Sequence, residues 1–178
     1  MIGLQRFLES MQHERVNFIV IGGIAARAHG SARITQDVDV VYSRLEDNIP
    51  RIVSALAPFC PYLRGAPRGL PFEWSVPTVE AGLNLTLTTT IGDIDMLGEV
   101  TGGGRYEDLV AHTVTADAFG IPTKFVSLPW LIRLKRAAGR IRDLEAIAEL
   151  ELLQGLIARE EAGSGTSRTN PESADANR

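Results

Sequence analysis

The stretch from residue 18 to residue 41 constrains the fold of this chain more than any other part of the sequence. It begins with an apolar run that ends at Gly22 and Gly23. Apolar runs bounded by glycine are typical of buried strands, so the run predicts a strand that leads into a tight turn. The stretch ends with Asp37 and Asp39, set among valines in a second apolar segment. Because an unpaired carboxylate is costly to bury, these two acids need a positively charged partner.

Two pairs of aspartates share the same spacing. Asp37 and Asp39 lie two residues apart on a predicted strand, so their side chains project from one face, about 7 Å apart. Asp93 and Asp95 repeat this spacing on a later predicted strand. On neighbouring strands, three or four of these carboxylates would meet at one patch. Carboxylate oxygens are ligands for Mg²⁺, and one or two such ions stabilise the attacking and leaving oxygens of phosphoryl or nucleotidyl transfer.

The glycine turn provides a second element of such a site. Gly22 and Gly23 allow backbone N–H groups to approach a phosphate closely at the start of a helix. An Asp-x-Asp pair alone is common at protein surfaces and in solvated turns. Here both pairs are flanked by apolar residues, and 13 residues separate the glycine turn from Asp37. Together these features favour a site for a metal and a phosphate over a surface turn.

The periodicity of the remaining chain predicts a small α/β (α+β) domain with a mixed sheet, flanking helices and a C-terminal helical pair. The predicted helices are residues 2–14, 25–29, 46–59, 129–138 and 142–159. The predicted strands are residues 16–21, 34–42, 83–89, 93–97 and 124–126, with 109–118 also extended and 60–77 a loop. We expect one domain over residues 1–160. Residues 161–178 contain no large apolar side chain, and we expect a disordered tail there.

Composition excludes several classes of protein. The formal net charge of −4 argues against general binding to nucleic acid through a basic surface. The single cysteine, Cys60, excludes an intramolecular disulfide and is typical of the reducing cytosol. No apolar run approaches the roughly 18 residues that span a bilayer, and the charged N-terminal segment is unlike a signal peptide. We therefore expect a soluble cytoplasmic protein without membrane contact.

The glycine turn and the first aspartate pair resemble the signature of the nucleotidyltransferase superfamily, whose members share a polymerase-β-like palm. More closely, Ile-Gly-Gly-Ile-Ala-Ala-Arg-Ala-His-Gly and Arg-Ile-Thr-Gln-Asp-Val-Asp resemble the small bacterial AbiEii-like nucleotidyltransferases. Asp-Ile-Asp-Met-Leu-Gly-Glu, residues 93–99, is similar to the third-carboxylate strand of that group, and residues 131–145 are similar to its C-terminal helical segment. The resemblance covers roughly residues 16–153. It departs from the wider superfamily in having Gly-Gly where many members have Gly-Ser.

The resemblance implies a nucleotidyltransferase fold and a metal centre built from aspartates. Asp37 and Asp39 would bind Mg²⁺. Asp95 would be the third catalytic carboxylate, either as a metal ligand or as the base for the incoming hydroxyl. We prefer Asp95 to Asp93 because it directly precedes Met-Leu, where the group places its acid. Asp93 either shares the site or faces solvent.

The resemblance also implies a nucleotide site. Gly22 and Gly23 would hold the triphosphate, and Lys135, with Arg140 nearby, would reach its phosphates. Arg33 precedes the first acids and could neutralise a phosphate as well. For Arg33 and Lys135 the alternative is an ordinary exposed basic side chain.

The implied reaction transfers a nucleoside monophosphate from a nucleoside triphosphate to a hydroxyl of a protein, a tRNA or a small molecule, and releases pyrophosphate. Many members of the group are toxins, so an antitoxin is an expected partner. One alternative is a non-catalytic interaction protein with the same fold, although such a protein has no need of three carboxylates. Another is a metal-dependent phosphohydrolase that uses the same acids.

Overall fold

The computed structural model describes residues 3–67, 69–141 and 143–164. Its helices are Leu4–His13 (α1), Gly22–Ala28 (α2), Asn48–Leu56 (α3), Val76–Ala81 (α4), Tyr106–Leu109 (α5), Leu128–Ala138 (α6) and Asp143–Ser164 (α7). Its strands are Phe18–Val20 (β1), Asp37–Tyr42 (β2), Tyr62–Leu63 (β3), Asn84–Thr89 (β4), Gly92–Leu97 (β5), Thr113–Ala118 (β6) and Ile121–Val126 (β7). Single 3₁₀ turns follow α3 at Ala57–Phe59 and α5 at Val110–His112.

Within the described residues, seven strands form one sheet in the order β3-β4-β5-β2-β1-β7-β6. The pairs β2–β5 and β1–β7 are parallel, and the other neighbouring strands are antiparallel. The sheet is therefore mixed, and helices flank it, which confirms the predicted fold class. The two aspartate-bearing strands, β2 and β5, are direct neighbours at its centre.

The central strands are apolar because both of their faces are covered. Ile19 and Val20 of β1 and Val40 and Val41 of β2 are completely buried. Burying an aliphatic side chain of this size contributes about 1.5–3 kcal/mol, so these strands anchor the fold. An apolar stripe of α1 also enters the core, through Phe7, Leu8 and Met11. The aspartates of β2 and β5 are thus fixed on rigid, well-packed elements.

The structure departs from the predicted elements where the sequence has no clear period. The predicted loop 60–77 contains the short strand β3 and the start of α4. Trp74 fixes this region, because its indole Nε1 donates a hydrogen bond of 3.0 Å to the carbonyl oxygen of Val53. The segment predicted to be extended, 109–118, is a helical turn before it becomes β6.

Two strands begin three residues away from their predicted starts. The predicted strand 34–42 is regular only from Asp37, and Ile34 is largely exposed. Strand β7 begins before Pro122, earlier than predicted. A proline is tolerated there because β1 pairs with β7 only near Phe125, so no N–H is needed on that side of Pro122.

The predicted C-terminal helical pair is formed by α6 and α7, which pack together. Gly139 ends α6 in the left-handed conformation, with φ of 62°. Leu150 of α7 is buried in the core. Helix α7 continues to Ser164, into the predicted tail, and residues 165–178 lie outside the described residues. None of the helices in the described ranges is long and apolar enough to cross a membrane.

Candidate active site

The parallel pairing of β2 with β5 brings the two aspartate pairs together. Asp37 lies opposite Asp93, and Asp39 lies opposite Asp95, with all four side chains on one face. Carboxylate oxygens of Asp37, Asp39 and Asp95 lie within 4.8 Å of one another. Oxygen ligands about 2.1 Å from a Mg²⁺ ion are about 3–4 Å from each other. The three carboxylates, called the acid triad below, therefore fit a shared divalent cation.

The acid triad is electrostatically unfavourable without a cation. Burial, with the nearby charges of Asp37 and Asp95, raises the pKa of Asp39 to about 6, against the weaker opposing effects of Lys135 and the Gly23 N–H. Burial also raises the pKa of Asp95. Carboxyl groups whose pKa is raised by burial and by one another are characteristic of functional sites. The electrostatics thus favour a positively charged ligand at the triad.

Asp93 lies on the same face but is not a member of the triad. The hydroxyl of Thr88 donates a hydrogen bond of 2.9 Å to its Oδ1. Its Oδ2 lies 3.6 Å from Nε of Arg64. Asp93 therefore borders the site and helps to hold a neighbouring guanidinium.

That guanidinium belongs to Arg64, which the sequence analysis did not identify. Its terminal nitrogen forms an ion pair with Asp95, and its Nε is buried with no hydrogen-bond partner among the described residues. Arg64 follows β3, and its N–H donates a hydrogen bond of 3.0 Å to the carbonyl oxygen of Thr86 on β4. This strand pairing brings Arg64 to the acids, so an arginine in a Gly/Pro-rich stretch gave no signal in the sequence.

The glycine turn is packed directly against the first aspartate pair. Gly22 has φ of +61°, and a Cβ there would lie 2.7 Å from Cγ of Asp39. A Cβ on Gly23 would lie 2.6 Å from Cβ of Thr35. The hydroxyl of Thr35 donates a hydrogen bond of 2.7 Å to Oδ1 of Asp37. Because both residues are glycines, there is room for Asp39, a member of the acid triad, and for Thr35, which orients Asp37.

The two basic residues predicted to meet the nucleotide face the same region but are paired with acids of α7. Nζ of Lys135 lies 2.9 Å from Oδ1 of Asp143, and both side chains are mostly buried. Nε of Arg33 lies 2.8 Å from Glu149, and its terminal nitrogen lies 3.2 Å from Glu145. The sequence analysis did not identify these three acidic partners.

The acid triad, the glycine turn and both basic residues line one cleft of about 510 Å³. Its volume is within the range of about 300–1,000 Å³ that is usual for small-molecule sites. Its walls include every predicted site residue, namely Gly22, Gly23, Arg33, Asp37, Asp39, Asp95 and Lys135. Arg140 also lines it, whereas Asp93 does not. Helices α6 and α7 add an apolar wall from Leu131, Leu134, Ala146 and Leu150.

This chain is similar to solved structures but not to known family models or curated sequences. No protein-family model matches the sequence, and no curated protein matches it significantly. A candidate nucleotidyltransferase from Thermotoga maritima, TM1012, superposes with a TM-score of 0.54 at 16% identity, over 84% of this chain and 94% of that one. The antibiotic-resistance factor ANT(2'')-Ia superposes with a TM-score of 0.52 at 12% identity, over 91% and 92% of the two chains. At these identities the likeness concerns the fold alone, and the chain therefore has the fold of TM1012 and of ANT(2'')-Ia.

Proposed function

We propose that this protein is a Mg²⁺-dependent nucleotidyltransferase. It would move a nucleoside monophosphate from a nucleoside triphosphate to a hydroxyl of a protein, a tRNA or a small molecule, with release of pyrophosphate. The observation that carries the proposal is the convergence of Asp37, Asp39 and Asp95 in a cleft that also contains a glycine turn and basic side chains. The shared fold supports it.

The roles of the triad follow from its environment. The three carboxylates would hold the divalent ion, and Thr35 and the N–H of Gly23 orient Asp37 and Asp39. When bound, such an ion stabilises the charge on the attacking and leaving oxygens. Rigid positioning on two packed strands is the main contribution that the chain itself makes to such a reaction.

The acceptor hydroxyl must lose its proton as its oxygen attacks the α-phosphorus. Asp95 is the proposed acceptor of that proton, since burial raises the pKa of its carboxyl group. The new bond joins the acceptor oxygen to the α-phosphorus, and the bond from that phosphorus to the pyrophosphate oxygen breaks. Lys135 and Arg33 would balance the negative charge of the departing pyrophosphate.

The resemblance of the glycine turn and the Arg33–Asp39 segment to the AbiEii-like group supports a finer proposal. The protein would be the toxin of a toxin–antitoxin pair, with an antitoxin as its partner. One structural neighbour is an antibiotic-resistance factor, so a small molecule is retained beside tRNA and protein as the class of acceptor.

A transfer assay tests the proposal. Each of the four α-labelled nucleoside triphosphates is incubated with the protein, Mg²⁺, total tRNA and cell protein. We expect one nucleotide to label one fraction, with release of pyrophosphate. Asp39→Asn should reduce labelling at least about 1,000-fold, because metal-assisted charge stabilisation contributes several kcal/mol to such reactions. Asp47→Asn, which changes an exposed aspartate outside the cleft, is the control and should retain the labelling.

The alternatives give different results in the same assay. A phosphohydrolase would release inorganic phosphate from γ-labelled nucleotide and would label no acceptor. A non-catalytic protein would show neither product, and calorimetry with each nucleotide and Mg²⁺ would show no heat of binding. Equal labelling by the wild type and Asp39→Asn would contradict the role of the triad.

A further inference from the structure

Glu149 of helix α7 provides most of the hydrogen bonds that fasten the segment before β2 to that helix. Oε1 of Glu149 accepts hydrogen bonds of 2.8 Å from the hydroxyl of Ser31 and of 3.2 Å from the N–H of Ala32. Oε2 of Glu149 accepts a hydrogen bond of 2.8 Å from Nε of Arg33. The adjacent Glu145 receives a further hydrogen bond of 3.2 Å from the same guanidinium. Glu149 thus occupies a cradle of hydroxyl, amide and guanidinium donors.

The cradle has the chemistry of an oxyanion site. Hydroxyl, backbone N–H and guanidinium donors in one place are the groups that bind phosphate oxygens in proteins. Ser31 and Arg33 both line the cleft that contains the acid triad. The donors also lower the pKa of Glu149, so they stabilise the charged form of a bound oxyanion.

The second basic residue of the cleft is occupied in the same way. Lys135 pairs with Asp143 at the start of α7, about 1.7 turns before Glu149. Acidic side chains of one helix therefore neutralise both predicted phosphate-binding cations. The arrangement resembles a bound anion that is covalently part of the chain.

We propose that Ser31, Ala32 and Arg33 form the site for a phosphate group of the nucleotide, and that Glu149 competes with the nucleotide for it. The inference rests on the proposed function, because the competing ligand is the triphosphate of that reaction. The Glu149–Arg33 pair is partly exposed, and such pairs are individually weak. A triphosphate carries more negative charge than one carboxylate and displaces it. The nucleotide thereby releases the segment before β2 from α7.

Binding of inorganic tripolyphosphate to the full chain, without divalent metal, tests the inference by calorimetry. Glu149→Gln should bind tripolyphosphate about fivefold more tightly than the wild type, because no carboxylate then has to be displaced from Ser31, Ala32 and Arg33. Glu151→Gln is the matched control, since it removes a charge from the same helix. Glu151 pairs with Arg136, which does not line the cleft, so the affinity of Glu151→Gln for tripolyphosphate should equal that of the wild type.

Two further variants complete the test. Arg33→Gln should weaken binding, and adding Glu149→Gln to it should restore little. If Glu149→Gln lowers the stability too far, Glu145→Gln carries the same test with a gain of about twofold, because it removes one exposed pair. Equal affinities for Glu149→Gln and Glu151→Gln would overturn the inference, and so would the absence of binding by every variant.

The two proposals fail independently. The tripolyphosphate measurement needs no metal and no transfer, and the transfer assay uses Asp39→Asn, which leaves the cradle intact. If transfer is observed but Glu149→Gln does not bind tripolyphosphate more tightly, the proposed function stands and the competition by Glu149 is disproved. If Glu149→Gln binds tripolyphosphate more tightly but no transfer is observed, the phosphate site stands and the proposed function fails.

Discussion

Asp39 is the residue at which the needs of the site oppose the stability of the fold. Its carboxylate lies between Asp37 and Asp95, and burial with these two charges raises its pKa from 3.8 to about 6. The unfolded chain lacks this environment, so ionised Asp39 favours unfolding. The positive charge of Lys135 opposes this effect only partly. A residue retained at such a cost is typical of a functional site.

Asp39→Asn should therefore stabilise the metal-free protein at neutral pH. Since the folded pKa is raised, the destabilisation is absent below about pH 4, grows as Asp39 ionises, and is complete above about pH 6. The free energy of unfolding should increase by about 1–3 kcal/mol at pH 7.5 and stay unchanged at pH 4. Urea unfolding in the presence of a chelator measures it, with the exposed Asp47→Asn as a control. A loss of stability at pH 7.5 would show that the Asp39 carboxylate is not destabilising.

At the scale of elements, the site depends on how the β1–α2 junction packs against β2. The sequence predicted both elements because their signals are local: an apolar run, a glycine pair and an alternating Asp-Val segment. It also predicted a metal site, on the condition that the aspartate strands are neighbours. The parallel β2–β5 pairing meets this condition, but no local pattern encodes it.

The parts that the sequence analysis did not predict depend on long-range contacts. Helix α4 is short and follows a Gly/Pro-rich stretch, so it has no usable hydrophobic period. Arg64 reaches Asp95 only because β3 pairs with β4. Glu149 is far from Arg33 in the chain, and its role depends on how α7 folds back over the cleft. Local patterns cannot contain such information.

Gly22→Ala tests the packing of the junction, and Gly139→Ala is its matched control. Both glycines have φ near +60°, but a Cβ on Gly139 meets no atom within 4 Å. The left-handed backbone should cost about 1–2 kcal/mol in either variant. Gly22→Ala should lose about 1–3 kcal/mol more, because its Cβ collides with Asp39. Thermal or urea unfolding gives both values, and equal losses would mean that the junction tolerates a side chain.

At the scale of the whole molecule, distant parts of the chain meet at one cleft. The central strands provide the acids, the segment before β2 provides Arg33, and α6 provides Lys135. Helix α7 closes the cleft and neutralises both cations. Arg64 forms an ion pair with Asp95, whereas none of the described basic side chains forms an ion pair with Asp37 or Asp39. The uncompensated negative charge therefore lies at these two members of the acid triad, which is where a divalent cation would bind.

The central claim is that the acid triad is a metal centre, and Mn²⁺ binding followed by electron paramagnetic resonance tests it most directly. The wild type should remove free Mn²⁺ from solution at pH 7.5, with weaker binding below about pH 6 as Asp39 takes up a proton. Asp39→Asn should weaken binding at least about tenfold, since even outer partners of a metal site change affinity by that much. Asp47→Asn should bind as the wild type does. Equal Mn²⁺ affinity in the wild type and Asp39→Asn would contradict the claim.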